Sequence, residues 1–198
     1  MSHPAQERPA VVVTGVSSGI GLAIAEDLLR RGYQVFGSVR RGADADALVA
    51  NARDAFVPLV LDVTDTQALP QVVAQVQGIL GQRGLKALVN NAGISFSGPL
   101  LHQPLEEVRQ TFEVNVFGLL AVTRAFAPLL GASPDSGLPP GRIVNIGSVA
   151  GAITVPFMAS YSASKHALEA LTQGLRRELK RYGIEVSAVE PSFIRSRM

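Results

Sequence analysis

Six short apolar runs alternate with longer amphipathic stretches along this chain, and that alternation constrains the fold more than any other feature. The runs are 10–14, Gln34–Val39, 56–61, 85–89, Arg142–Ile146 and 184–189. Between them, residues 20–31, 43–51, 65–82, 104–130 and 161–182 read as helices. Strands this continuously apolar are buried on both faces, which requires a parallel sheet with helices on each side. Right-handed crossovers then make it an α/β, doubly wound parallel sheet of the Rossmann type. Gly32 stops the first helix, Thr64 stands where it can cap the third, and Pro104 suits a first helical turn. Pro58 interrupts the character of the third strand. Residues 131–141 hold three prolines and three glycines and read as a loop inserted between a helix and a strand of one sheet.

Composition narrows the function classes. At ~100–200 residues per domain, the 198 residues form one domain, 1–198. Hydrophobic residues make up 47% and charged residues 17%, which excludes a disordered chain. The net charge is only +2 and no basic run exceeds two residues, so no nucleic-acid partner is expected. With zero cysteines there is no disulfide framework, thiolate zinc site or cysteine nucleophile, and no metal is expected. The first ten residues lack an apolar core of the signal-peptide kind. No stretch reaches ~18 apolar residues without a charge, so no membrane span is expected. A cytoplasmic protein is the corresponding expectation.

The first strand runs into Thr14-Gly15-Val16-Ser17-Ser18-Gly19-Ile20-Gly21, a G-x-x-x-G-x-G turn that opens a helix. Gly15 permits the sharp exit from the strand, Gly19 lets backbone N–H groups approach a pyrophosphate, and Gly21 lets the helix pack close to the sheet. A glycine-rich turn without a ligand would look the same by spacing alone; its place after a strand and before a helix favours a dinucleotide.

The end of the second strand selects the nucleotide. An acid there accepts from both ribose hydroxyls of NAD, whereas arginine pairs with a 2′-phosphate. Val39 is followed by Arg40 and Arg41, and the nearest acid is Asp44. Guanidinium pairs bidentately with phosphate, so NADP(H) is favoured over NAD(H); two solvated turn residues are the competing reading. Asp62-Val63 ends the third strand. The Asp62 carboxylate can accept from an adenine amine, cap the following helix, or do both.

Tyr161 and Lys165 lie four apart on one helix and share a face. A phenol near its ordinary pKa of ~10 is a poor acid–base group at neutral pH, and a nearby ammonium lowers that value. Ser148 lies thirteen residues before Tyr161, just past the fifth strand, where its hydroxyl can hold a substrate oxygen beside the phenol. Asn90-Asn91-Ala92-Gly93 closes the fourth strand with small residues that permit close approach of a ligand. Asn115 falls within a helix, where asparagine is unfavourable. It either stabilises a kink or anchors a water or the strand-four backbone, and these readings are compatible.

T-G-x-x-x-G-x-G at 14–21, N-N-A-G at 90–93, Asn115, Ser148 and Y-x-x-x-K at 161–165 together resemble the short-chain dehydrogenase/reductase family. The resemblance covers nearly the whole chain, in the family's order. It implies an NAD(P)-dependent oxidoreductase acting on a secondary alcohol or ketone. It also implies a tetrad in which Tyr161 is the acid–base, Ser148 orients substrate, Lys165 binds the nicotinamide ribose and Asn115 holds a relay water. With the readings above, the dinucleotide is expected against Gly15, Ser17, Ser18, Gly19, Ile20, Gly21, Arg40, Arg41, Asp62, Val63, Asn91, Ala92, Gly93, Tyr161, Lys165, Pro191, Ser192 and Ile194. A homodimer or homotetramer is implied, with 104–130 and 161–182 as contact surfaces.

Three features depart from the family pattern. Pro191-Ser192 replaces a usual Pro-Gly, and Ser196 replaces a frequent threonine that contacts the cofactor carboxamide. Family members also continue past this length, so a C-terminal strand and substrate lid are expected to be missing here. A dinucleotide-binding protein without turnover is therefore the alternative function. A sugar-nucleotide epimerase would have different glycine spacing and a second domain. A methyltransferase would leave Tyr161, Lys165 and Ser148 unexplained.

Overall fold

The apolar runs pair as parallel strands, and the computed structural model describes residues 8–192 and 194. Among these residues six strands form one sheet in the order β3-β2-β1-β4-β5-β6. They are β1 (Ala10–Val13), β2 (Gln34–Val39), β3 (Phe56–Val60), β4 (Ala87–Asn90), β5 (Arg142–Ile146) and β6 (Glu185–Val189). The helices are α1 (Gly19–Arg30), α2 (Asp46–Ala52), α3 (Leu69–Leu80), α4 (Leu105–Phe112), α5 (Leu119–Phe126) and α6 (Ala159–Glu178). Every strand pairing is parallel. The strand order reverses between β1 and β4, and that switch point is where doubly wound sheets open a ligand crevice at the carboxyl ends of their strands.

Strand periodicity divides the core into two clusters. Val12, Phe36, Leu88 and Ile143 pack on one face with Val122, Phe126 and Leu130. Val11, Val13 and Val35 pack on the other with Ala25 and Leu48. Successive residues point to opposite faces, so an unbroken run of valines serves both. Pro58 is accommodated because β3 is at the edge of the sheet, where its missing N–H breaks no ladder.

The expected elements are present, with informative shifts at their ends. α3 begins at Leu69 rather than near residue 65. Asp65 Oδ1 accepts from the N–H groups of Gln67 and Ala68, each at 3.1 Å, so an aspartate turn occupies the segment expected to be helix. Thr64 caps nothing; its N–H and hydroxyl both donate to Asp62 Oδ1. α6 starts two residues before Tyr161.

The segment expected as one helix from 104 to 130 is continuous from Leu105 but not uniform. A π-helical turn, Glu113–Gly118, separates α4 from α5, and a 3-10 turn, Ala127–Leu130, closes it. Its 26 residues are long and apolar enough to cross a membrane by length and composition. Val122, Phe126, Leu129 and Leu130 nevertheless lie in the core against the sheet.

Phe126 is fully buried where α5 meets the sheet. Phe126→Ala is expected to lower unfolding free energy by about 3–5 kcal/mol, through lost transfer energy and an unfilled cavity. Urea unfolding followed by circular dichroism measures it; no shift in midpoint would place this side chain outside the stabilising core.

Candidate active site

The turn after β1 is held from both neighbouring strands. Gly15 adopts a left-handed backbone with φ of 71°, a conformation that favours glycine. Its N–H donates to Ser38 Oγ at 3.0 Å, and the Val16 N–H donates to the Ser38 carbonyl at 3.0 Å, tying the turn to β2. On the β4 side, Asn91 Nδ2 donates to the carbonyl oxygens of Thr14 (2.9 Å) and Gly15 (3.0 Å). Thr14 Oγ1 accepts in return from the N–H groups of Asn91 (2.9 Å) and Ala92 (3.0 Å). Gly21 closes the arrangement from α1, because a Cβ there would overlap the Gly15 carbonyl oxygen and Asn91 Nδ2. Ser18 is the N-cap, Ser17 is exposed, and Gly19, Ile20 and Gly21 form the first turn of α1. The free N–H groups of such a turn, together with the helix dipole, favour an anion.

Beyond β2, both arginines are exposed, but they are not equivalent. Arg41 is forked onto Asp44, with Nε donating to Oδ2 at 3.2 Å and Nη2 to Oδ1 at 2.8 Å. This pairing raises the Arg41 pKa and lowers that of Asp44. Asp62 is partly buried, which opposes its ionisation, yet hydrogen bonds from Thr64 and the positive field of Arg40 bring its pKa below the usual value. The Val63 side chain is turned into the core, and Gly118 of the π turn lies against the Val63 carbonyl.

The tyrosine–lysine face lies past the ends of β4 and β5. Lys165 is buried, and its Nζ donates to the Ile146 carbonyl at 2.8 Å. Burial depresses the Lys165 pKa to about 8. Its ammonium is 5.7 Å from the centre of the Tyr161 ring. Partial burial raises the Tyr161 pKa above its ordinary value, and a hydrogen bond with the Ser148 side chain acts weakly in the opposite sense. The expected lowering of the phenol's pKa is thus corrected: burial raises it, and the phenol stays protonated at neutral pH. Ser148 caps a 3-10 turn, Val149–Gly151, its Oγ accepting from the Ala150 N–H at 3.1 Å.

Asn115 sits in the π turn with 1% exposure, and both polar atoms of its amide have partners. Oδ1 accepts from the Ile94 N–H at 2.9 Å, and Nδ2 donates to the Ile94 carbonyl at 2.9 Å and to Ser164 Oγ at 3.0 Å. Both amide hydrogens are engaged, so any water here has only the second lone pair of Oδ1. The backbone that Asn115 anchors is that of Ile94, four residues beyond the end of β4, and not strand four itself. Gly93 lies alongside, since a Cβ there would come 3.2 Å from Asn115 Oδ1 and 3.8 Å from Lys165 Nζ.

Pro191 borders the same edge, its carbonyl accepting from the Val149 N–H at 3.1 Å, while Ser192 and Ile194 are exposed. Ser196 lies outside the described residues. Sequence reasoning passed over three supports. Ser38 holds the glycine turn, and Ser164 bridges Asn115 to the Tyr161 carbonyl, to which it donates at 2.6 Å. Asn145 links Asn90 of β4 to Thr172 of α6. Their signal was available: each is a polar residue at a position whose neighbours' periodicity demands burial.

A nucleotide-binding-type sheet carrying a tyrosine–lysine centre at its switch-point edge defines the class. The chain belongs to the short-chain dehydrogenase family, whose model matches residues 9–198. It is 46% identical over 185 residues to an NADPH-dependent 3-dehydrocapnine reductase of Ornithobacterium rhinotracheale, covering 93% of this chain and 65% of that protein. It is 38% identical over 189 residues to 17-beta-hydroxysteroid dehydrogenase type 6 of Bos taurus, covering 95% and 57%. A crystal structure of a short-chain dehydrogenase from Streptomyces avermitilis superposes with a TM-score of 0.88 at 38% identity, covering 96% and 68%. ElxO with NADP bound superposes with a TM-score of 0.86 at 26% identity, covering 96% and 76%. The chain spans roughly three fifths of the length of the curated relatives it matches.

The buried Lys165 makes stability depend on pH. Its folded pKa is about 8 against an ordinary value of 10.5, so the unfolded state binds the proton more tightly. The cost of burying the ammonium is complete below pH 8 and is relieved as pH rises toward 10.5. Relative to Lys165→Met, the wild type is expected to gain stability between pH 7.5 and 9.5, below the range where Tyr161 titrates. Urea midpoints across that window measure it, and parallel curves for the two proteins would refute the assignment.

Proposed function

We propose that this chain is the nucleotide-binding and catalytic part of an NADP(H)-dependent oxidoreductase that interconverts a ketone and a secondary alcohol. The observation that carries this reading is the convergence of Tyr161, Ser148 and Lys165 beside Gly93, on the edge where the glycine turn meets Asn91. The residues fit a dinucleotide. The first turn of α1 would take the pyrophosphate, Asp62 the adenine side, and Lys165 and Asn91–Gly93 the nicotinamide side. When bound, the nicotinamide supplies or receives the hydride.

The protein's own contribution is to hold and move a proton. Tyr161, kept protonated by burial, donates its phenolic hydrogen to the carbonyl oxygen as that oxygen gains negative charge, and takes a hydrogen back in the reverse direction. Ser148, just past the carboxyl end of β5, orients the same oxygen. Lys165, fixed on the Ile146 carbonyl and 5.7 Å from the ring, stabilises the phenolate formed after transfer. Asn115 acts as a positioning residue, holding the Ile94 backbone and, through Ser164, the first turns of α6.

The name of the 46%-identical relative supports NADPH and the reductive direction. The NADP-bound structural neighbour and Arg40 beyond β2 support the same nucleotide.

In the full-length protein, Tyr161→Phe is expected to lower turnover of a ketone panel by roughly 10²–10⁴-fold, the usual worth of general acid–base help. NADPH affinity by calorimetry should change little. Wild-type turnover in the variant would remove Tyr161 from the chemistry, and a wild type that oxidises no NADPH with any ketone would count against the reductase reading.

A further inference from the structure

Four charges meet at the carboxyl ends of β2 and β3: Arg40, Arg41, Asp44 and Asp62. Their sum is zero. The Arg40 guanidinium acts on both carboxylates, whereas Arg41 is committed to one of them. Asp44 is the more sheltered partner of that pair, with 24% side-chain exposure against 81% for Arg41. The Nε and Nη2 edge of Arg41, the edge that grips a carboxylate or phosphate in two places, is already occupied.

We infer that Asp44 is the residue that restrains nucleotide preference, by engaging Arg41 and cancelling its charge so that Arg40 alone serves a 2′-phosphate. This rests on the NADP(H) reading above. A 2′-phosphate carries close to two negative charges, so a carboxylate in the same cluster opposes it twice. It repels the phosphate directly, and it competes for the better-shaped face of Arg41. Removing the negative charge while keeping the side chain's size frees Arg41 and shifts the cluster from neutral to +1. The ion pair spans three residues on an exposed turn, and pairs of that kind contribute little to folding, so the substitution tests binding rather than stability.

The experiment uses Asp44→Asn, Arg41→Ala, their combination and Arg40→Ala in the full-length protein. Each is titrated calorimetrically with 2′,5′-ADP, NADPH and NADH at low and high salt. Asp44→Asn is expected to tighten 2′,5′-ADP and NADPH by about three- to tenfold at low salt and to raise the NADPH-to-NADH affinity ratio. The gain should shrink at high salt and vanish in the combined variant. Arg41→Ala alone leaves Asp44 unneutralised and the cluster at −1, so it should weaken NADPH and 2′,5′-ADP by about three- to tenfold at low salt, and Arg40→Ala should weaken NADPH by about tenfold or more. An unchanged ratio, or weaker NADPH binding in Asp44→Asn, overturns the inference; weaker binding would show Asp44 presenting Arg41 to the phosphate instead. If Arg40→Ala has no effect, or the wild type binds neither dinucleotide, the cofactor reading itself fails and Asp44 loses its assignment with it.

Discussion

The site depends on the cross-strand attachment of Asn91 to the glycine turn. Two amide hydrogens of one side chain satisfy the carbonyls of Thr14 and Gly15, and the Thr14 hydroxyl satisfies two N–H groups of the β4 loop. These backbone groups lie where two strands diverge at the switch point and no ladder partner is available. Left unpaired and partly buried, each would cost about 1–3 kcal/mol. The same contacts set how closely α1 approaches, because Gly21 rests on both the Gly15 carbonyl and Asn91. The turn's geometry is therefore imposed by protein groups, and a ligand at the helix terminus would meet a surface already formed.

A second set of buried amides extends this order across the sheet. Asn90 donates to Thr123 and Asn145, and Asn145 donates to Thr172, so β4, β5, α5 and α6 share one polar chain beneath the site. Asn115 repeats the principle one layer up, clamping Ile94 and reaching α6 through Ser164. The π turn gives it room: one extra residue in the helical turn projects a poor helix former inward without ending the helix. Paired polar groups in a low-dielectric interior favour one arrangement strongly, although Asn90 Oδ1 in this network is buried without a partner among the described residues.

Burial also sets the protonation states. Desolvation pushes Tyr161 up and Lys165 down, so each moves toward its neutral form. The phenol is held neutral above its ordinary pKa, and the lysine sits close to its own titration at mild alkaline pH. Their separate responses come from one cause, desolvation where α6 packs against the 3-10 turn after β5 and the π turn.

Much of this was legible in the linear pattern. Runs of valine with no polar face left only a parallel, two-sided sheet, and Gly15, Gly21, Asn91, Tyr161 and Lys165 stood out because their chemistry suits few other contexts. The shape of the 104–130 segment was less accessible, since a π turn leaves no periodic signature beyond one misplaced asparagine. The start of α3 was lost to Asp65, whose side chain competes for the same N–H groups that would begin a helix. Sequence alone determined the fold class and pointed to the strand edge that gathers the candidate residues, because periodicity and side-chain chemistry are local properties. Only the tertiary structure decided that Asn91 braces a turn, that Arg41 is bound to Asp44, and that burial raises the pKa of Tyr161. The first turns on a contact between residues more than seventy apart in the chain, and the other two on side-chain geometry and solvent exclusion that a local pattern does not fix.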